Sequence, residues 1–228
     1  MNLDLSPYKG FIFDLDGVIV DTRPYHLRAW QRLAEELGVE IDEQSNEELR
    51  RLSRMEGIEK LMEWGHLYGS DAEKMFWADR KNKWYIELIA QMSPSEILPG
   101  VMDFLLVLKQ YDYPTALVSS SANARKVLLS TGIDHYFDVV IDGTIAKKSK
   151  PAPDCFLMAA FDLGLQPGEC LVFEDAPVGT QAARAGGFKS VAVGIHRDVC
   201  NADYTIEGFD NFSYRLFYET NLIHTTSE

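Results

Sequence analysis

The stretch FIFDLDGV, from Phe11 to Val18, places an apolar, β-rich run directly before two aspartates, Asp14 and Asp16. β-branched and aromatic residues bounded by Asp and Gly predict a buried strand that ends at Asp14. In parallel sheets, functional groups lie beyond the carboxyl ends of the strands. An isolated Asp-x-Asp-Gly motif is explained equally well by solvated acids after a strand. The motif therefore marks a candidate site that other positions must support.

Apolar runs of the same kind recur along the chain, each followed by a loop and a helical pattern. The predicted strands are Gly10 to Phe13, Thr115 to Val118, Val139 to Ile141, Leu171 to Phe173 and Val191 to Val193. Alternating strands and helices predict an α/β fold with a doubly wound parallel sheet, a Rossmann-like core. Functional side chains are expected just after the runs, at Asp14, Ser119, Asp142, Glu174 and Gly194.

A long helical stretch interrupts this alternation after the first strand. It contains three helical patterns: one that stops at Gly38, one from Asn46 into Met62, and one from Asp71 to Ala90. About 70 helical residues are enough for a small subdomain with its own core. The predicted domains are a Rossmann-like catalytic core, residues 1–22 and 93–228, and an inserted helical cap domain, residues 23–92.

The charge balance limits the possible partners. The chain has 22 Lys and Arg against 35 Asp and Glu, a net charge of -13, so nucleic acid and anionic membrane surfaces would be repelled. No apolar run reaches the length of a membrane span, and no targeting peptide is predicted. Three cysteines without metal-ligand spacing indicate reduced thiols. We therefore expect a cytoplasmic monomer that acts on small molecules.

Three further positions give the Asp-x-Asp motif chemical partners. Ser119 follows the second predicted strand, Lys150 stands in a Lys-Pro-Ala-Pro-Asp sequence, and Glu174 with Asp175 follows the fourth strand. Each has an ordinary explanation, as a helix cap, a surface lysine or acids at a helix start. Their order and their positions at strand ends instead favour one shared site.

With these segments the chain resembles the haloacid dehalogenase-like phosphotransferase superfamily over nearly its whole length. Within that superfamily it is most similar to the β-phosphoglucomutase family. The segments that carry the second resemblance are Asp16 to Thr22, Tyr25-His26, Arg28 to Trp30, Asn46-Glu47 with Leu49, Ser53-Arg54, and Ser119, Ser121 and Asn123.

The resemblance implies a division of labour in the core. Asp14 would be the nucleophile that forms an aspartyl phosphate, and Asp16 would be the general acid–base. Ser119 and Lys150 would hold the oxygens of the transferred phosphoryl group. The implied cofactor is Mg²⁺, held by the side chains of Asp14 and Asp175, the backbone carbonyl of Asp16, and Glu174 directly or through water.

The same resemblance implies a set of substrate-binding residues. They are His26, Trp30 and Arg54 in the cap and Ser121 and Asn123 in the core. Arg54 would grip the phosphate that is not being transferred, because a planar guanidinium suits its oxygens. His26 would help to gate the acid–base function of Asp16.

The resemblance leaves more than one activity open. The leading hypothesis is a mutase that interconverts β-D-glucose 1-phosphate and glucose 6-phosphate through a sugar bisphosphate. A Mg²⁺-dependent sugar-phosphate phosphatase shares every core residue. Two departures favour a shifted substrate: Arg51 stands where the mutase family usually has Gly, and Ala122 where it commonly has Lys. A dehalogenase would have no necessary role for Asp16. A receiver-type signalling module would be about half this length and would lack the helical insertion.

Overall fold

Six parallel strands form the main sheet of this computed structural model, which describes residues 2–49, 52–146, 148–194, 197–216 and 223–224. In spatial order they are β4 (Val139–Ile141), β3 (Thr115–Val118), β2 (Gly10–Phe13), β5 (Cys170–Glu174), β6 (Lys189–Val193) and β7 (Tyr204–Ile206). The predicted α/β fold with a doubly wound parallel sheet is confirmed. The five predicted strands match β2 to β6 to within two residues at each end.

The central position of β2 brings three strand ends together. Every residue of β2, β3 and β5 is buried. The pairing register sets Phe13 opposite both Leu117 of β3 and Phe173 of β5. Because all three strands run in the same direction, the residues that follow them lie at one edge of the sheet. Asp14 and Glu174 therefore come from neighbouring strands.

Helices and a second sheet complete the main unit. Its helices are α5 (Val101–Gln110), α6 (Ala124–Thr131), α7 (Asp154–Asp162) and α8 (Pro177–Ala185). A three-stranded sheet of β1 (Asn2–Asp4), β8 (Ser213–Arg215) and β9 (Ile223–His224) was not predicted, because none of its strands is a continuous apolar run like the equally short β4. Aromatic rings fill the core next to β2: Phe13 stacks on Phe173 with ring centroids 5.0 Å apart.

The chain divides into two compact units. The sheet unit consists of Met1–Asp21 and Met92–Glu228, and the helical unit of Thr22–Gln91. The helical unit contains α1 (Arg23–Leu37), α2 (Glu43–Leu49), α3 (Arg54–Trp64) and α4 (Asp71–Ile89). Within the described ranges, none of the helices combines the length and the apolar character that crossing a membrane requires. That the helical unit acts as a cap stays a prediction.

One helical prediction is wrong. The pattern from Asn46 into Met62 is not one helix, because α2 ends at Leu49 and α3 begins at Arg54. Ser53 starts the new helix with a capping box: Ser53 Oγ accepts the Glu56 N–H at 3.4 Å, and Glu56 Oε2 accepts the Ser53 N–H at 2.8 Å. These bonds satisfy donors that a helix start leaves unpaired. Arg51, the departure noted above, lies outside the described residues.

Candidate active site

Lys150 joins two carboxylates at the carboxyl edge of the sheet. Its Nζ donates hydrogen bonds to Asp14 Oδ1 at 2.5 Å and to Glu174 Oε1 at 2.6 Å. Asp14 is only 8% exposed and Glu174 only 1%. The amide of Ala176 also donates to Glu174 Oε2, at 3.0 Å. Lys150 and the Ala176 amide, just after β5, together hold the Glu174 carboxylate next to Asp14.

Asp175 completes an acidic cluster beside this ion pair. Carboxylate oxygens of Asp14, Glu174 and Asp175 all lie within 4.8 Å of one another. Gly17 makes the approach of Asp175 possible: it has a φ of +80°, and a Cβ there would lie 2.2 Å from Asp175 Oδ2. The glycine of the Asp-x-Asp-Gly motif is therefore required both by the backbone and by the neighbouring carboxylate.

The cluster carries more negative than positive charge. Burial raises the pKa of Asp14 well above its usual range; Lys150 opposes this shift, and the charges of Glu174, Asp175 and Asp16 add to it. Burial lowers the pKa of Lys150, but the charges of Asp14 and Glu174 outweigh this effect and raise it overall. Lys150 therefore stays protonated. A buried site with surplus carboxylates and only oxygen donors fits a hard divalent cation such as Mg²⁺.

The loop after β3 contributes polar groups at the same edge of the sheet. Ser119, directly after β3, is buried, and its Oγ accepts the N–H of Ser121 at 3.1 Å. Ser121 Oγ accepts the N–H of Asn123 at 3.2 Å. Asn123 is the buried N-cap residue of α6. The three predicted phosphate-binding residues thus form one hydrogen-bonded chain.

Asp16 lies in a tight turn next to the cluster. The Gly17 N–H donates to Val20 O at 2.7 Å, and the Val20 N–H donates to Leu15 O at 3.1 Å. Asp16 is partly exposed, unlike Asp14. Its charge nevertheless adds to the raised pKa of Asp14.

Comparison with known proteins identifies the family. The family model for haloacid dehalogenase-like hydrolases matches residues 8–187. The chain belongs to this family. It is 37% identical to the β-phosphoglucomutase of Bacillus subtilis over 213 residues, 92% of this chain and 94% of that one. It is 36% identical to a fructose-1-phosphate phosphatase of Escherichia coli, over 82% and 96% of the two chains. The crystal structure of β-phosphoglucomutase from Clostridium difficile superposes with a TM-score of 0.80 at 38% identity, covering 89% of this chain and 92% of that one.

As a member of this family, the chain is an enzyme of phosphoryl transfer or phosphate ester hydrolysis. The structure brings together Asp14, Lys150, Glu174 and Asp175 from separate segments. The catalytic and binding roles of the individual residues stay predictions.

The helical unit holds a second polar cluster, around His26. The His26 ring stacks on Tyr85 with centroids 3.9 Å apart, and its Nδ1 accepts a hydrogen bond from Lys81 Nζ at 3.0 Å. Burial and then the charges of Lys81 and Arg54 lower the pKa of His26 well below its usual range. When Lys81 is protonated it can only donate, so in that state Nδ1 is the acceptor and the ring proton lies on Nε2.

Lys81 is the site residue that the sequence analysis missed. It is only 3% exposed, and its Nζ lies 4.5 Å from the centre of the Trp30 ring. Burial, with a contribution from Arg54, lowers the pKa of Lys81 to about 7. One signal was available: Lys81 falls three or four residues from Ala78, Trp84 and Tyr85, on the buried face of α4.

Trp30 has a packing role that the structure makes plain. The ring is buried, and a Cβ added at Gly57 of α3 would lie 2.7 Å from it. With Lys81 over its face, Trp30 joins three helices of the helical unit. Its predicted contact with substrate stays a prediction.

Proposed function

We propose that this enzyme is a β-phosphoglucomutase that interconverts β-D-glucose 1-phosphate and glucose 6-phosphate. The carrying observation is the similarity to the Bacillus subtilis β-phosphoglucomutase, which extends over 92% of this chain and 94% of that one. A match of that extent includes the helical unit as well as the catalytic cluster of the sheet unit. A mutase must transfer the phosphoryl group of its phosphoenzyme to a sugar and not to water. A match over both units therefore supports the mutase better than a match over the catalytic cluster alone would.

The first step uses Asp14 as the nucleophile. An oxygen of its carboxylate forms a bond to phosphorus, and the bond from phosphorus to the donor sugar oxygen breaks. Lys150 favours the ionised, nucleophilic form of Asp14 through its hydrogen bond to Oδ1. Since phosphoryl transfer depends mainly on positioning and charge stabilisation, Lys150 and the Ser119 hydroxyl would donate to the oxygens of the transferred group.

Proton transfer is assigned to Asp16. It gives a proton to the departing sugar oxygen in the first step and takes a proton from the attacking hydroxyl in the second. In the first step the sugar bisphosphate gives one phosphoryl group to Asp14 and leaves as a monophosphate. In the second step β-glucose 1-phosphate takes the phosphoryl group from Asp14 and becomes the bisphosphate, which is bound in either of two orientations. Asp16 is partly exposed and lies two residues after Asp14. Both properties suit a group that must exchange protons with a bound sugar.

A divalent cation fits the cluster of Asp14, Glu174 and Asp175. Asp14 and Asp175 would hold it with their side chains, Asp16 with its backbone carbonyl, and Glu174 directly or through water. When bound, Mg²⁺ would neutralise charge on the phosphoryl group, which otherwise meets three carboxylates. The protein residues orient the reacting carboxylate: Lys150 and the Ala176 amide hold Glu174, and Glu174 in turn shares Lys150 with Asp14.

The second candidate is a sugar-phosphate phosphatase with the same Asp14 chemistry, in which water attacks the aspartyl phosphate. The similarity to the Escherichia coli fructose-1-phosphate phosphatase supports it. Ala122 also supports the phosphatase, because an uncharged residue in the loop after β3 suits a substrate that needs no positive charge at that position.

One assay separates the two candidates. Purified protein is given Mg²⁺, β-glucose 1-phosphate and a trace of glucose 1,6-bisphosphate, and glucose 6-phosphate and free phosphate are followed together. The mutase predicts glucose 6-phosphate with little free phosphate. Free phosphate released in step with substrate loss would contradict the mutase and favour the phosphatase.

A further inference from the structure

The loop between β3 and α6 contains two serine hydroxyls that can donate hydrogen bonds to a ligand. The hydroxyls of Ser119 and Ser121 each accept a backbone N–H. A serine hydroxyl can also donate its own proton. In the part of the chain that the structure describes, neither proton meets an acceptor, although Ser119 is only 4% exposed. The loop is therefore suited to a ligand rich in acceptor oxygens.

Lys126 adds a positive charge to this loop. It is the third residue of α6, and its Nζ donates to Asn123 Oδ1 at 3.3 Å. Asn123 is the N-cap residue, but its side chain makes no capping bond to the helix backbone. Its amide oxygen is instead taken by Lys126. Lys126 is exposed, and this contact holds its ammonium beside the loop at the N-terminus of α6.

The neighbouring arginine is engaged elsewhere. Arg125 Nη2 donates to Val140 O at 2.8 Å, and its Nε lies 3.6 Å from Asp142. Among the described residues, no carboxylate lies within ion-pair distance of Lys126. In the described part of the chain Lys126 therefore carries a positive charge next to the loop that no carboxylate pairs with.

We propose that Lys126 binds the phosphate of a sugar phosphate that is not being transferred, together with Ser121 and Asn123. This inference rests on the proposed function, because only a sugar bisphosphate brings a second phosphate to the site. Lys126 supplies the charge that Ala122 lacks. The N–H groups at the start of α6 favour the same anion. Lys126 is therefore a specificity-determining residue for phosphorylated sugars.

The test compares two substrates in three proteins: wild type, Lys126→Ala and Arg125→Ala. Arg125→Ala is the matched control, because it removes one positive charge from the same helical turn. For β-glucose 1-phosphate with glucose 1,6-bisphosphate, Lys126→Ala should lower kcat/KM roughly tenfold, the effect of one charge-assisted hydrogen bond at an exposed group. Turnover of p-nitrophenyl phosphate, which has no second phosphate, should stay within about twofold. Arg125→Ala should change neither rate selectively.

A second variant moves the charge back. Ala122 is exposed, so Ala122→Lys in the Lys126→Ala protein should recover much of the lost kcat/KM for the sugar phosphate. Equal losses on both substrates, no loss on either, or the same selective loss in Arg125→Ala would overturn the role of Lys126. If the wild-type protein turns over p-nitrophenyl phosphate but neither converts the sugar phosphate nor is inhibited by the bisphosphate, the proposed function itself fails.

Discussion

Gly179 tests whether the Glu174 carboxylate must occupy its observed place. Gly179 is the third residue of α8, and a Cβ there would lie 1.8 Å from Glu174 Oε1 and 2.5 Å from Oε2. Ordinary contact begins at 3.4 Å, so Gly179→Ala must displace the carboxylate by roughly 1.6 Å. A displacement of that size takes Glu174 Oε1 out of hydrogen-bond range of Lys150 Nζ, now 2.6 Å away.

The expected loss follows from these bonds. Glu174 is a predicted Mg²⁺ ligand, directly or through water, and one charge-assisted contact contributes about 1.5–3 kcal/mol, so Mg²⁺ affinity should fall roughly 10- to 150-fold when Glu174 moves. Overpacking costs a further 1–3 kcal/mol or so of folding stability, which the better helix propensity of Ala offsets by about 1 kcal/mol. Since about 1 kcal/mol shifts Tm by roughly 2–4 °C at this size, the Tm without metal should fall by a few degrees.

Calorimetric Mg²⁺ titration and thermal unfolding measure these two effects. Gly168→Ala is the matched control, because a Cβ there meets nothing within 4 Å. Glu174→Asp shortens the displaced side chain by one methylene, so the double variant Gly179→Ala/Glu174→Asp should bind Mg²⁺ better than Gly179→Ala alone. Wild-type Mg²⁺ affinity and Tm in Gly179→Ala, or strictly additive effects in the double variant, would refute the reasoning.

Four further predictions concern Lys150, the two aspartates of the Asp-x-Asp motif, the cofactor and Arg54. Lys150→Met leaves the buried carboxylates of Asp14 and Glu174 without their shared cation, so urea unfolding at pH 7 should show a loss of about 3–5 kcal/mol. Because the folded-state pKa of Asp14 is raised, the protonated form is stabilised on folding. The loss should therefore shrink as the pH falls toward the raised folded-state pKa of Asp14, which lies well above the ordinary value of 3.8; a loss independent of pH would contradict this. Asp14→Asn should fold normally and lose phosphoryl transfer, whereas Asp16→Asn should keep Mg²⁺ binding and slow turnover about 10²- to 10⁴-fold, as single-turnover kinetics can check. Excess chelator should abolish activity and added Mg²⁺ restore it; full activity of metal-free protein, verified by elemental analysis, would argue against the cofactor. Arg54→Ala should lower kcat/KM for a sugar phosphate roughly 10- to 150-fold and spare p-nitrophenyl phosphate, while equal losses on both would indicate a structural role.

The sequence alone determined where five strands of the main sheet lie along the chain. Strands buried on both faces are short continuous apolar runs, and this local property placed β2 to β6 to within two residues. The chemical types of Asp14, Lys150 and Glu174 marked them as candidates before any contact was known. The strands β1 and β8 were missed because each has a single apolar or aromatic residue between two polar ones, whereas β4, which is equally short, is the apolar run Val-Val-Ile.

The tertiary structure alone decided how these residues pair. Lys150 lies 136 residues from Asp14 and 24 from Glu174, and only the order β3-β2-β5 brings all three to one edge. The pairing of Lys81 with His26 depends on burial, and that of Lys126 with Asn123 on side-chain direction. A lysine in a helical pattern reads as solvent-exposed by default, since its usual place is the surface. Hydrophobic patterning specifies which face of a helix is buried, but not which polar group lies opposite a given side chain. Only the tertiary structure therefore decides whether a lysine ammonium binds water, a carboxylate or a neutral acceptor.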